Sequence, residues 1–153
     1  MVIRKADITD YDTVADFSKK AFLYHVENRS DILRNAPELS KKEFKKILKN
    51  KNWLIFLAQK DEKVVGYCKA LIREVADECW SPMKMIFIYE MYVSPSYARQ
   101  GTASRLLEEI KITAKNIGAS QVELDVWSFN EAAINLYSKA GFTPQRIKME
   151  LKL

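Results

Sequence analysis

Between Ile88 and Leu107 the chain reads IYEMYVSPSYARQGTASRLL, an alternating apolar strand that turns through Ser94, Pro95 and Ser96 into a short loop and then a helix. This junction constrains the fold more than any other stretch. The start of a helix leaves its first N–H groups without intrahelical partners and presents the positive end of the helix dipole, so a strand-to-helix loop suits a phosphate. Gly101 lets the backbone approach a ligand closely, and Ala103 is small enough not to block it. One Gly and one Ala in a turn also suit a plain tight connection, so the loop alone does not decide between the two.

The rest of the chain reads as alternating strand and helix patterns. Val2 to Ala6 is a first strand, and Thr9-Asp10-Tyr11-Asp12 reads as a capping box into a helix with Val14, Phe17, Ala21 and Phe22 on one face. Ser40-Lys41-Lys42-Glu43 is a second capping box, followed by an apolar stripe of Phe44, Ile47 and Leu48. Lys41, Lys42, Lys45, Lys46 and Lys49 fall on the other side of that helix, where a solvated face is the simplest reading. No aromatic residues interleave with them to stack bases. Trp53 to Gln59 and Val64 to Glu74 are strand patterns joined by the polar turn Lys60-Asp61-Glu62-Lys63, which predicts a hairpin. A polar connection, Val75 to Pro82, leads to the strand Met85 to Val93. A helix is expected from about Thr102 to Ile117, with Leu106, Leu107, Ile110 and Ala114 inward and Gly118 at its stop. A final strand is expected near Ile147 to Leu151, where apolar and charged residues alternate.

With 153 residues, 48% of them hydrophobic, the chain has enough apolar material for one domain spanning 1–153 and too little for two ordinary ones. No apolar run approaches the ~20 residues of a membrane span, and MVIRKADITD lacks the apolar core of a signal peptide, so no membrane contact and a cytoplasmic location are expected. Cys68 and Cys79 have no paired spacing and no histidine cluster beside them, so structural thiols and no metal site are expected. The net charge of +5 suits a polyanionic cofactor and equally suits weak contact with nucleic acid. No motif supports a nucleic-acid partner.

From Gln121 the sequence QVELDVWSFNEAAINLYSKAGF gives a strand, a polar turn, and a helix that Asn130 can cap and Gly141 can end. Together with the Ile88–Leu107 junction this resembles the GNAT superfamily of acetyl-CoA-dependent N-acetyltransferases. Gly101 and Ala103 match the family's signature loop. Asn130, Ala132, Leu136, Tyr137, Gly141 and Phe142 match its later element. Ala98 stands where the family usually has Arg or Gln, with Arg99 and Gln100 immediately after it. The resemblance covers nearly the whole chain and implies a mixed α/β fold, with a twisted, largely antiparallel sheet flanked by helices and splayed between the Glu90 strand and the strand around Val122 to Val126.

The resemblance also implies a chemistry and its residues. Acetyl-CoA would donate an acetyl group directly to a primary amine of a small molecule, peptide or protein, with no metal. Its pantetheine arm would lie along Met91, Tyr92 and Val93, and its pyrophosphate among Arg99, Gln100, Gly101, Thr102, Ala103 and Ser104. Asn130 and Ala133 would adjoin the cofactor, Asn130 as a helix cap, a cofactor contact or both. Tyr137 would reach the thioester sulfur and protonate the leaving thiolate. An alkylammonium has a pKa near ~10, so some group must take its proton. Strand alternation puts Glu90 on one face with Ile86, Ile88 and Tyr92, where a carboxylate is unexpected. It reads either as the base, commonly acting through water in this family, or as a salt-bridged side chain at a sheet end. His25 and Glu27 fall in the segment expected after the first helix, which would cover the acceptor side. Glu74, Asp77 and Glu78 form an acidic group that would draw a cationic amine, or else a solvated loop. A non-catalytic acyl-CoA sensor on the same fold is the alternative, and a homodimer stays open.

Overall fold

Asp61 and Glu62 both take left-handed backbone angles, with φ of 48° and 63°, as a two-residue turn must if its twist is to match that of the strands it joins. They close a long antiparallel hairpin of β2 (Trp53–Lys60) and β3 (Lys63–Val75), paired from Lys60↔Lys63 to Trp53↔Leu71. The computed structural model describes residues 1–153. β1 (Val2–Lys5) pairs antiparallel with the outer edge of β2, and β4 (Met83–Val93) antiparallel with β3. β5 (Gln121–Leu124) adds parallel to β4, giving an open sheet in the order β1-β2-β3-β4-β5.

Two cores form, one on each face. Helix α3 (Thr102–Asn116) buries Leu106, Leu107, Ile110 and Ala114 against Phe56, Cys68, Ala70, Ile86 and Ile88, and α4 (Glu131–Lys139) adds Leu136 and Tyr137 at the margin. On the other face α1 (Tyr11–Asn28) and α2 (Lys41–Lys49) bury Val14, Phe17 and Phe44 against Ile55, Leu57 and Tyr67. The mixed α/β sheet flanked by helices is the architecture expected from the sequence.

Where the structure departs from the sequence reading, the causes are local. Tyr89 is an extra residue in β4: Glu90 pairs with Lys69 and Ile88 with Ala70, so the strand bulges between them. The bulge reverses the alternation. Ile86 and Ile88 face α3, and after the bulge that face passes to Met91 and Val93 while Tyr92 joins the α1 face. Glu90 and Tyr92 therefore do not share a face with Ile86 and Ile88, because a period-two reading cannot detect an inserted residue. The cap before α1 is Asp7, which closes a capping box with Asp10 over a single 3-10 turn, and the Thr9 hydroxyl donates to Asp7 instead of capping. The expected strand near Ile147 to Leu151 does not form. Glu150 is taken up by Arg29 and Lys152 by Asp31, both just beyond α1. That leaves Ile147, Met149 and Leu151 at least 82% exposed, and residues 143–153 make no backbone hydrogen bond.

Candidate active site

The parallel pairing of β4 with β5 runs only from Met85↔Gln121 to Ile88↔Leu124. Past the bulge, Glu90 to Val93 keep their bonds to β3 and have no strand on the β5 side. The sheet is splayed there, and an extended ligand can add to the free edge as a strand would. Met91 and Val93 flank this edge on the α3 face, and Tyr92 on the α1 face, against Phe17 at 5.0 Å between ring centroids.

At the end of β4 the chain passes through Pro95–Tyr97, a 3-10 turn, into the loop before α3. Arg99 and Gly101 are both left-handed, at φ 58° and 79°. Alternation of this kind turns successive N–H groups inward into an anion-binding nest. The N–H groups of Thr102, Ala103 and Ser104 have no backbone partner, and α3 has no side-chain cap. A Cβ built on Gly101 meets nothing within 4 Å, so the space above the loop is open. Gln100 is held by Lys60 at 3.2 Å and donates to the Ser96 carbonyl at 2.9 Å. The loop sits tightly on the sheet through Gly66: a Cβ there would lie 2.9 Å from the Tyr92 carbonyl oxygen and 3.3 Å from the Thr102 methyl. The residues present fit a diphosphate.

Glu90 lies on the α1 face in a polar network. Its Oε1 accepts from the Lys69 ammonium, and its Oε2 from the Tyr67 hydroxyl and, at 2.7 Å, from the Ser18 hydroxyl of α1. Burial pushes the carboxyl up, yet the Lys69 charge and these three hydrogen bonds outweigh it and hold Glu90 below the ordinary carboxylate range. Burial, and then the Glu90 charge, push the Tyr67 hydroxyl up. Sequence reasoning missed Ser18, Tyr67 and Lys69, although Lys69, two residues after Tyr67 on an otherwise apolar strand, was the available signal.

Tyr137 lies on the opposite face, edge-on to Phe142 at 5.6 Å, and its hydroxyl, which makes no hydrogen bond within the protein, is not sealed from solvent. Burial pushes it up to about 12, with the neighbouring Cys68 adding to the effect. Cys68 is fully buried, and burial first, then the Glu90 charge, push its thiol up to about 12. Asn130 caps α4 by accepting from the Ala133 N–H at 3.1 Å, so the Ala133 amide is already engaged.

The residues expected on the acceptor side divide. His25 joins Tyr24, Trp127 and Phe129 in an aromatic cluster that links the end of α1 to the segment after β5. Its Nδ1 is buried without a partner, and burial lowers its pKa. Glu27 is exposed two residues further on, and both residues lie within the last turns of α1 and not after it, because the helix continues to Asn28. Glu74 pairs with Lys84 at 3.1 Å, near the start of β4, roughly 20 Å along the strand from Glu90. Asp77 is engaged by the Cys79 N–H at 2.8 Å. The acidic group is thus at the other end of the sheet from the splay.

An open sheet splayed beyond a bulge, with a strand-to-helix nest beside the gap, defines an α/β domain of the acyltransferase type. The chain belongs to the GNAT acetyltransferase family, whose profile matches residues 20–142. It is 29% identical over 125 residues to the [ribosomal protein bS18]-alanine N-acetyltransferase of Escherichia coli K12, covering 82% of this chain and 75% of that one. An uncharacterized N-acetyltransferase of Bacillus subtilis, YdgE, is 32% identical over 72 residues, 47% of this chain and 46% of that one. The chain thus spans under half the length of several curated relatives it matches. Among solved structures, a mutant of the BH1408 protein from Bacillus halodurans superimposes with a TM-score of 0.93 at 27% identity, over 100% of this chain and 99% of that one. The aminoglycoside N-acetyltransferase AAC(6')-Iy in complex with CoA shares the fold, with a TM-score of 0.73 at 20% identity over 99% of both chains. No helix is long and apolar enough to cross a membrane.

Proposed function

We propose that residues 1–153 form one catalytic domain that transfers acetyl from acetyl-CoA directly to a primary amine, both substrates being bound at once. One observation carries this reading: the splayed edge past the bulge has a charged carboxylate, Glu90, on one face and a protonated hydroxyl, Tyr137, on the other. Those are the two groups that amine acylation needs, on opposite sides of the gap where the reacting atoms would meet.

Acetyl-CoA supplies the activated acyl group. The nest from Arg99 to Ser104 binds its diphosphate, and the free edge of Met91, Tyr92 and Val93 pairs with its pantetheine amides. Glu90 draws the proton from the acceptor ammonium, directly or through water. The freed nitrogen attacks the thioester carbon, and backbone N–H groups at the splay stabilise the oxyanion, worth roughly 3 kcal/mol for a well-placed donor. As the carbon–sulfur bond breaks, the Tyr137 hydroxyl donates its proton to the leaving thiolate; the second proton of the attacking nitrogen, made acidic in the tetrahedral intermediate, returns through water to the tyrosinate, and Glu90 releases its own proton to solvent. Cys68 plays no covalent part, because a thiol pushed up to about 12 stays protonated at neutral pH.

The relatives named above act on a ribosomal protein's alanine and on aminoglycosides, so both a peptide α-amine and a small amine belong in the test. Acetyl-CoA consumption is measured with amino-terminal peptides, lysine, polyamines and aminoglycosides, and products are identified by mass. Turnover with any of them supports the enzyme. Tight coenzyme A binding with no turnover across the panel supports instead an acyl-CoA sensor, for which Ala98 in the signature loop is the specific observation.

A further inference from the structure

Glu90 is satisfied by groups that nothing in the reaction consumes. Lys69 lies directly across the ladder from it, and Tyr67, two residues back along β3, shares its face. Ser18 reaches it from α1, a separate element 72 residues away in sequence. A carboxylate kept inside the protein needs donors to stay charged, and here three converge on it from two elements. The Lys69 side chain is only 13% exposed and its ammonium also lies 5.8 Å from the centre of the Trp53 ring, so it has little freedom to leave. An ionised carboxylate offers about four lone-pair sites, and three are filled here.

We propose that Lys69 is a positioning residue for the transfer, holding Glu90 charged and in one orientation with Tyr67 and Ser18, so that a single lone-pair site, on Oε1, is left for the acceptor's proton. This rests on the reading of Glu90 as the base. The ammonium does not react. It fixes where the proton goes, because Oε2 already accepts two hydroxyl protons and Oε1 accepts one bond from Lys69. It also opposes the effect of burial, which by itself would favour a neutral acid with no capacity to take a proton. The groups that act on the carboxylate are Lys69 and Tyr67 from β3 and Ser18 from α1, with the buried Cys68 thiol remaining neutral beside them.

The test is a titration of the Glu90 carboxyl carbon by 13C NMR in the whole protein, the resonance being assigned by its loss in Glu90→Gln. In the unsubstituted protein the midpoint lies below the ordinary ~4.3 of glutamate. Lys69→Met keeps the length of the side chain and removes the charge, and its midpoint is expected to rise by about 1–3 pH units, the range that one adjacent charge commands. Lys69→Arg should restore a low midpoint. The acid limb of kcat/KM, with acetyl-CoA and whichever panel amine turns over fastest, should move to higher pH in Lys69→Met by the same amount, with the acetyl-CoA KM unchanged. A Glu90 midpoint that stays put in a folded Lys69→Met protein overturns the positioning role. That failure differs from failure of the base role, which is read from a fully active Glu90→Gln protein.

Discussion

Glu90 and Tyr137 stand on opposite faces of one sheet, and their surroundings could hardly differ more. Glu90 is wired: three donors from two elements hold a charge inside the protein. Tyr137 is bare: its ring packs against apolar side chains near a protonated thiol, and its hydroxyl, not sealed from solvent, makes no hydrogen bond within the protein. A group that must carry a charge between turnovers needs partners to offset its desolvation, whereas a group that must only lend a proton needs to remain neutral until a negative charge appears in front of it. The bulge at Tyr89 makes the contrast possible, since it turns Glu90 away from the α3 core that Ile86 and Ile88 occupy.

The largest effect that could break the contrast is on rate at the wired side. Glu90→Gln keeps the size of the side chain and removes the capacity to hold a proton, and kcat is expected to fall by about 10²–10⁴. The rise of rate with pH that Glu90 imposes should vanish, leaving the ionisation of the acceptor itself. Steady-state kinetics from pH 3 to pH 10 checks this, since a carboxyl held below the ordinary range titrates at the acid end, and an unchanged profile would assign the base elsewhere.

On the bare side the expected loss is smaller. Tyr137→Phe deletes one oxygen that bonds to nothing in the protein, so folding should be nearly unaffected while kcat falls by about 10–100-fold. Acetyl-CoA affinity should hold, because the role proposed for the hydroxyl begins only as the thiolate departs. Single-turnover measurements separate the chemical step from product release. Full turnover of the Phe variant under chemistry-limited conditions would remove Tyr137 from the reaction.

A third variant belongs to neither face. Gly101 sits at φ 79° with open space above it, so Gly101→Val introduces backbone strain without filling a packed site. Left-handed geometry costs a β-branched residue about 1–3 kcal/mol, and relief of that strain would turn the loop's N–H groups away from the diphosphate. Coenzyme A binding by calorimetry should weaken at least ~5-fold, corresponding to about 1 kcal/mol. The pH profile of kcat should keep its shape, since the loop touches neither Glu90 nor Tyr137. Unchanged affinity would place the diphosphate elsewhere.

The sequence showed one half of this contrast better than the other. The nest was legible because a glycine before an amphipathic run with Leu106, Leu107 and Ile110 marks a helix start, and the helix lies where that pattern put it. The helix that carries Tyr137 was legible through Asn130 and Gly141, which bracket it, while the role given to Tyr137 came from the resemblance alone. The surroundings of Glu90 were not. Lys69 is brought to it by strand pairing and Ser18 by the packing of α1, and neither contact leaves a periodicity in the local sequence. The tail failed for a related reason. Its alternation is real, but Arg29 and Asp31 capture its charged row from a remote element, and no local pattern announces that competition.

The smallest expected effect separates the two groups by stability, and its sign follows from their shifts. Glu90 is held below its unfolded value, so its ionisation stabilises the fold at neutral pH. That contribution persists down to the ordinary carboxylate range near ~4.3 and is lost as pH falls through the lower folded value. Glu90→Gln should therefore be less stable than the unsubstituted protein at pH 7, where it leaves the largely buried Lys69 without its counter-charge, and the gap should narrow on acidification toward pH 3. Tyr137, pushed up to about 12, is protonated across that whole range in both folded and unfolded chains. Any stability difference in Tyr137→Phe should therefore stay constant from pH 3 to pH 8. Urea midpoints measured at several pH values test both statements. A gap for Glu90→Gln that is flat with pH would show that the Lys69 pair contributes nothing to the fold, and a pH-dependent gap for Tyr137→Phe would show that its hydroxyl is coupled to a titrating group, ending the distinction between a wired face and a bare one.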